Sequence, residues 1–328
     1  MIEEVIENTY RIELPLPDSP LKFVNSYVIK ATDRNLIVDT GVNREKCNKV
    51  MREGLKQVGV DLRRTDFFIT HLHLDHIGLV SNLTTEKSTI YFNQPDTDRI
   101  ESIKHSTLWS DMIRFSRMNG YPKIELGKIL RDHWAYRNEF KGDLPFRIVE
   151  DKDVICVGDY LFNCIQTPGH SKGHMCLYEP EKKILFSGDH LLNDVTSGVQ
   201  LSSGEGNPLK EYLSSLDKIY ELEIDLVLPG HRGIFGNCRG RIEELKDHHQ
   251  KRIREIISIL EKGRQNAYQV ASQMSWDIVC DSWDSFPGLQ KWFAVGETMA
   301  HMRYLEEKGM VQKKIEKEMV TYSLIGDY

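Results

Sequence analysis

Three histidines and an aspartate fall within six residues at His71-Leu72-His73-Leu74-Asp75-His76. Imidazoles and carboxylates are costly to bury unless they are paired or bound to a metal. The run Phe67-Phe68-Ile69 before them reads as a buried strand, and Leu79-Val80 after them as the first turn of a helix. Ligands at alternate positions of a strand end, followed by two more as the backbone turns, can converge on one or two cations. The stretch is therefore expected to bind metal.

Three more polar clusters follow apolar runs. They are Thr167-Pro168-Gly169-His170-Ser171-Lys172-Gly173-His174, Ser187-Gly188-Asp189-His190 and Pro229-Gly230-His231-Arg232-Gly233. Each has glycine beside the histidine or aspartate, where it permits a turn and lets backbone approach a ligand closely. One such turn is weak evidence. Four, all carrying metal-ligand residue types, form a strong constellation.

The elements that must position these groups can be read from residue patterning. Strands are expected at 10–16, 23–30 and 35–38, the last ending in Asp39-Thr40-Gly41, with a helix over 44–57 and strands at 66–70 and 89–92. From 94 to 140 the pattern turns helical. Ile100, Ile103, Leu108, Met112, Ile113 and Phe115 form a stripe that Asn119-Gly120-Tyr121-Pro122 breaks, and a second helix is expected over 124–136. This aromatic-rich block (Trp109, Phe115, Tyr121, Trp134, Tyr136, Phe140) reads either as a packing appendage or as a lid that shapes a pocket. Strands return at 146–149, 154–157, 160–166, 174–179 and 183–187, then a helix over 208–222 and a strand at 226–228. The alternation across 1–235 indicates a mixed α/β layered domain. Beyond it, helices over 241–260, 267–274 and 293–308 and a hairpin near 310–324 outline a winged helix. The expected division is a catalytic domain at 1–238, with 94–140 inserted, and a C-terminal domain at 239–328.

Composition narrows the function classes. The 328 residues carry a net charge of −6, with 40% hydrophobic and 28% charged residues, as in ordinary globular proteins. That balance gives no footprint for nucleic acid or an anionic membrane. The N-terminus is acidic rather than signal-like, and no apolar run approaches the roughly 18 residues that span a bilayer. The six cysteines (Cys47, Cys156, Cys164, Cys176, Cys238, Cys280) show no CxxC pairing and mostly sit in apolar runs. They read as reduced core residues, and a cytoplasmic protein without a membrane partner is expected.

Taken together, the polar clusters resemble the metallo-β-lactamase superfamily. His71, His73, Asp75 and His76 meet its HxHxDH pattern, and His170, Asp189 and His231 its later ligands. Asp39 in Val38-Asp39-Thr40-Gly41 matches a further recurrent element, and the resemblance spans roughly residues 5–235. It implies an α+β fold, the αββα sandwich of two mixed sheets packed face to face with helices outside. It also implies that His71, His73 and His170 hold one metal and that Asp75, His76 and His231 hold a second. Asp189 would bridge the two, and Asp39 would orient a ligand histidine. Mixed imidazole and carboxylate ligands suit two zinc ions, and iron or manganese fit the same donors. A metal lowers the pKa of bound water from 15.7 to about 7, so a bridging hydroxide would attack a carbonyl or phosphoryl centre. Asp75 would, besides ligation, help move a proton to the leaving group.

The superfamily applies this chemistry to β-lactams, thioesters, lactones and phosphodiesters. Histidine at position 73 argues against the flavodiiron reductases, and aspartate at position 189 argues against an antibiotic-degrading β-lactamase. No second large domain of the kind found in the mRNA-processing nucleases is present in the sequence. Lys172 is a candidate for holding a substrate carboxylate and His190 for lining the pocket, each against a bland loop or core reading. His174 reads as a structural histidine, and Arg232 as a surface salt bridge.

The C-terminal segment resembles the winged-helix tail of the β-lactamase-like protein 2 subfamily, which has been linked to single-stranded RNA cleavage. Residues 241–328 nevertheless hold 13 Lys/Arg and 14 Asp/Glu, too balanced for a phosphate-binding surface. The leading expectation is a dinuclear metal hydrolase acting on a small thioester or lactone/ester, with a small-molecule substrate and a tail that packs or forms a homodimer. The alternatives are a single-stranded RNA endonuclease or other phosphodiesterase and, in another class, a non-catalytic metal-binding regulatory protein.

Overall fold

The apolar runs separated by turn residues pair into two mixed sheets. The computed structural model describes residues 1–17, 19–104, 108–132 and 144–326. The first sheet contains β1 (Ile2–Ile6), β2 (Thr9–Pro15), β3 (Phe23–Ile29), β4 (Asn35–Val38), β5 (Thr65–Phe68), β6 (Ile90–Phe92) and β7 (Phe146–Ile148), in that spatial order. Its first four strands are antiparallel neighbours, whereas β4 to β7 run parallel. The second sheet contains β8 (Val154–Val157), β9 (Tyr160–Gln166), β10 (Met175–Glu179), β11 (Ile184–Gly188) and β12 (Leu226–Pro229), ordered β12-β11-β10-β9-β8. Only its β11–β12 pair is parallel.

Sequence patterning placed no strand before residue 10. β1 escapes it because Ile2, Val5 and Ile6 do not alternate, and its ladder with β2 shifts register between Glu4 and Ile6. Half-buried at the sheet edge, it is the kind of charged edge strand that resists further pairing.

The two sheets share one core. Tyr27, Leu36, Val38 and Phe68 of the first join Phe162, Leu177, Phe186 and Leu228 of the second in a single buried cluster. Tyr27 meets Phe186 edge-on with ring centroids 5.4 Å apart, the geometry that ring quadrupoles favour. Helices flank the sheets. α1 (Glu45–Val58) buries Cys47, Met51, Leu55 and Val58 along one stripe, and three short or edge helices follow: α2 (Leu74–Ile77), α3 (Val80–Leu83) and α4 (Gln94–Lys104). Two mixed sheets sharing one core, with helices outside, make the expected αββα sandwich.

The chain divides into two compact units. Met1–Ile100, Phe140–Ser197 and Ser215–Ile242 form the unit that holds both sheets. Glu101–Glu139, Gly198–Ser214 and Glu243–Tyr328 form the other. The remaining helices are α5 (Leu108–Met118), α6 (Lys123–Asp132), α7 (Pro208–Tyr220), α8 (Cys238–Leu260), α9 (Ala267–Ala271) and α10 (Gly288–Glu307). In the second unit Ile253, Ile256, Met302 and Leu305 pack beneath Val311, Val320 and Tyr322 of the hairpin β13 (Val311–Glu316) and β14 (Met319–Leu324). α10 begins five residues before the expected position, with Pro287 at its N-cap. The expected helix over 124–136 is described to Asp132, and Trp134, Tyr136 and Phe140 lie outside the described residues. Among the described residues, no helix is long and apolar enough to cross a membrane.

Candidate metal centre

Parallel strands bring their carboxyl ends to one edge. Asp39 follows the end of β4 and Thr70–His71 follow the end of the neighbouring β5, while Asp189 and His231 follow the neighbouring ends of β11 and β12 in the second sheet. The loop joining β9 to β10 adds His170. All are in the sheet-bearing unit.

The donor atoms converge as two groups. In one, His71 Nε2 and His73 Nδ1 are 2.9 Å apart, and His170 Nε2 lies 3.2 Å from the first and 3.0 Å from the second. Asp189 Oδ2 closes this group, 3.4 Å from His170 Nε2. In the other, His231 Nε2 lies 3.3 Å from Asp75 Oδ2, and His76 Nε2 lies 4.0 Å from the same oxygen. Asp189 Oδ1 faces that group at 3.4 Å from His76 Nε2 and 3.5 Å from His231 Nε2. Four tetrahedral ligands at about 2.1 Å from one ion stand about 3.4 Å apart, so these spacings match metal ligation. Asp189 turns one carboxylate oxygen to each group.

Hydrogen bonds behind the ring nitrogens fix which tautomer each histidine presents. His76 Nδ1 donates to Asp39 Oδ2 at 2.7 Å, and His231 Nδ1 donates to the carbonyl of Phe23 at 2.8 Å. Both Nε2 lone pairs therefore face the cluster. They and Asp189 Oδ1 are buried without a hydrogen-bond partner. Each such orphan costs about 1–3 kcal/mol, so three together are a sizeable fraction of a domain's stability. A cation satisfies all three at once, and the donor set fits it. In the other group the Thr70 hydroxyl donates to Asp39 Oδ2 at 2.9 Å and thereby accepts from His71 Nδ1 at 3.0 Å. Asp39 Oδ1 also accepts the Thr70 N–H at 2.9 Å. Ser197 Oγ lies 3.2 Å from His170 Nδ1.

Two glycines keep the space open. A Cβ on Gly230 would stand 2.7 Å from Asp189 Oδ1 and 2.8 Å from His76 Cε1. Gly188 adopts φ +48°, and a Cβ there would stand 2.7 Å from His174 Nε2. His174 itself takes the expected structural role. Its Nε2 accepts the Asp189 N–H at 3.1 Å, so its Nδ1 carries the proton, 2.8 Å from Thr167 Oγ1.

Electrostatics differ between the groups. Burial, with the surrounding imidazoles, pushes His71 well below its usual value and His73 down to about 3. Burial also opposes charge on His76 and His231, yet Asp189 together with Asp75, and Asp39 at His76, overcomes it and raises both. Burial works to raise Asp75 and Asp189, but the facing imidazoles hold both carboxyls below the usual range. The Asp75–His76–His231 end thus attracts positive charge, which a cation would supply in place of a proton.

The candidates beside the ligands separate clearly. His190 is fully buried, with its ring 6.1 Å from that of His174, and burial pushes its pKa down to about 3. Lys172 is exposed in the turn after His170. Arg232, at φ +68°, pairs with Asp194 at 3.8 Å. Thr70, Ser197 and Asp96 carry positioning contacts that sequence patterning did not single out. Thr70 and Ser197 carry no distinguishing signal. Asp96 reads in the sequence only as part of a helix start after Asn93.

A family model described as the metallo-beta-lactamase superfamily matches residues 20–231. The chain belongs to the metallo-β-lactamase superfamily. It is a metallo-hydrolase of that superfamily, with two His/Asp groups that fit a dinuclear centre. Among curated relatives, it is 27% identical to a beta-lactamase-like protein 2 homolog of Caenorhabditis elegans, over 75% of this chain and 68% of the relative. It is 25% identical to an atrochrysone carboxyl ACP thioesterase of Aspergillus fumigatus, over 74% of this chain and only 61% of that protein. A crystal structure of a metallo-beta-lactamase family protein from Thermus thermophilus superposes with TM-score 0.82 at 26% identity, covering 98% of this chain and all of that one.

Proposed function

We propose that this chain hydrolyses a small thioester or lactone/ester at a dinuclear metal centre, with zinc as the resident metal. The observation that carries the proposal is Asp189, whose two oxygens each face a separate group of histidine donors. His71, His73 and His170 would hold one cation, Asp75, His76 and His231 the other, and Asp189 both. When bound, the cations supply a water that ionises near neutral pH and positive charge for a developing oxyanion.

The chain's own residues do the rest. Asp39 and the Phe23 carbonyl keep His76 and His231 in their ligand tautomers. Asp75, with Oδ2 3.3 Å from His231 Nε2 and a side chain 14% exposed, would help move a proton from the water to the leaving group. In the overall reaction a water oxygen adds to the acyl carbon, the C–S or C–O bond breaks, and the proton passes to the leaving group. A thiolate, with a thiol pKa near 8.5, leaves with less acid assistance than an alkoxide, which favours the thioester. The thioesterase among the relatives supports the same choice.

The near-neutral balance of 13 Lys/Arg and 14 Asp/Glu over residues 241–328 supports a small-molecule substrate over nucleic acid. We further read α8, α9, α10 and the β13–β14 hairpin as a winged-helix-like element used for packing or homodimer formation. Six cysteines without a disulfide support a reducing, cytoplasmic setting. Purified protein assayed with zinc, manganese or iron against acyl-thioester, lactone and single-stranded RNA substrates tests the proposal. Turnover of thioesters or lactones is expected. Cleavage of RNA with no turnover of any ester would overturn it.

A further inference from the structure

Asp96 is fully buried, yet no ligand histidine touches it. Its Oδ2 accepts the Leu72 N–H and the Ser171 hydroxyl, each at 2.9 Å, and its Oδ1 accepts the Gly173 N–H at 2.9 Å. Leu72 is the residue between His71 and His73. Ser171 and Gly173 follow His170 directly. One carboxylate therefore ties together the two chain segments that carry the three-histidine group.

The carboxylate is itself anchored. Asp96 lies in the first turn of α4, where its N–H donates to Asn93 Oδ1 at 2.8 Å, and the hydroxyl of Thr97 donates to the Asn93 carbonyl at 2.7 Å. A carboxylate in the first turn is also favoured by the helix dipole. Buried backbone N–H groups need acceptors, and those of Leu72 and Gly173 find theirs in the same side chain. Desolvation raises the Asp96 carboxyl to about 6, against the pull of its three donors.

We propose that Asp96 is the positioning residue of the three-histidine group, fixing the His71–His73 segment against the His170 segment so that three imidazole nitrogens are preorganised for one cation. This rests on reading His71, His73 and His170 as metal ligands. Preorganisation raises affinity by removing the ordering cost of binding. Removing an orienting partner behind a metal site typically weakens metal binding about 10–100-fold.

The test is metal affinity measured by chelator competition on the full chain. His231→Ala provides a background in which only the three-histidine group binds tightly. Asp96→Asn keeps the size of the side chain but turns an amide donor toward one of the backbone N–H groups. In the His231→Ala background, Asp96→Asn is expected to raise the zinc dissociation constant about 10–100-fold. In the otherwise wild-type chain it is expected to weaken one of two zinc equivalents selectively. Unchanged affinity would overturn the proposal, whatever happens to the thermal midpoint of the metal-free protein, and so would equal weakening of both equivalents. If Asp96→Asn does not fold, Ser171→Ala removes one of the three donors while keeping the carboxylate. It is expected to weaken the same equivalent by a smaller factor, and no change there would count against the proposal. Failure of the wild-type chain to bind zinc would refute the metal reading instead, so the two failures are told apart.

Discussion

Among the described residues, two regions bury clusters of histidine, and one of them fits metal ligation. In the sheet-bearing unit, five imidazoles and two carboxylates aim lone pairs inward to two points. In the other unit, His248 and His249 of α8 meet Glu297 and His301 of α10. There His301 Nδ1 donates to the Glu297 carbonyl at 2.8 Å, which leaves its Nε2 to accept from His249 Nδ1 at 3.1 Å. That pairing uses the Nε2 lone pair of His301 and the Nδ1 proton of His249, so these two nitrogens bond each other; His249 Nε2 stays buried without a partner, but it converges with no second donor on one point. Arg252 reinforces the difference. Its guanidinium stacks 4.0 Å over Trp276, bonds Glu255 at 2.8 Å and lies 3.4 Å from Glu297 Oε1. A fixed cation beside Glu297 leaves that carboxylate no charge for a metal to balance. Histidine density is thus a poor guide. Convergent lone pairs with uncompensated carboxylates make the site.

The contrast is broken most forcefully at Asp189. Asp189→Ala is expected to remove both metal equivalents and reduce hydrolysis by at least about 10³-fold, as for residues that act as a unit. Retention of two metals would dissolve the bridging role. Gly230→Ala is next, since its Cβ must displace Asp189 or His76; metal content is expected to fall by about half or more while far-ultraviolet circular dichroism stays unchanged. Asp39→Asn takes the carboxylate from His76 Nδ1 and Thr70. Zinc affinity measured by chelator competition should fall about 10–100-fold.

The smallest expected effect comes from the other histidine cluster. His249→Phe should leave metal content at the wild-type level, and loss of metal there would erase the distinction between the regions. It should instead change the pH dependence of stability. Burial, with His301 beside it, pushes His249 down to about 3, and burial likewise lowers His301. The unfolded chain takes up protons near pH 6.5 that the folded chain refuses. The stabilising contribution is therefore complete above about pH 6.5 and is lost as the pH falls toward the folded value. Thermal unfolding at pH 7.5 and 5.5 should show a pH slope smaller in His249→Phe than in wild type by up to about 1.4 kcal/mol per pH unit.

Most of the metal centre was legible in the sequence because its ligands sit in short runs at strand ends. His71 to His76 announce themselves by spacing, and Asp189 and His231 by the glycines and apolar strands before them. The assignment of ligands to groups came from the family resemblance, and the distances group the same residues. What stayed hidden acts through contacts between distant segments. Ser197 reaches His170 across 27 positions, and Asp96 reaches Ser171 and Gly173 across 75 and 77. Asn93-Gln94-Pro95-Asp96 reads locally as a helix start and nothing more. β1 was hidden for a different reason: Ile2, Val5 and Ile6 lack a regular alternation, and its register on β2 shifts between Glu4 and Ile6.

The central claim is a two-cation centre organised by Asp189, and metal analysis of the purified, reconstituted chain tests it most directly. Elemental analysis after desalting is predicted to find two zinc equivalents per wild-type chain, one in His231→Ala and two in His249→Phe. Fewer than one equivalent in the wild-type chain, or the same loss in His249→Phe as in His231→Ala, would contradict it.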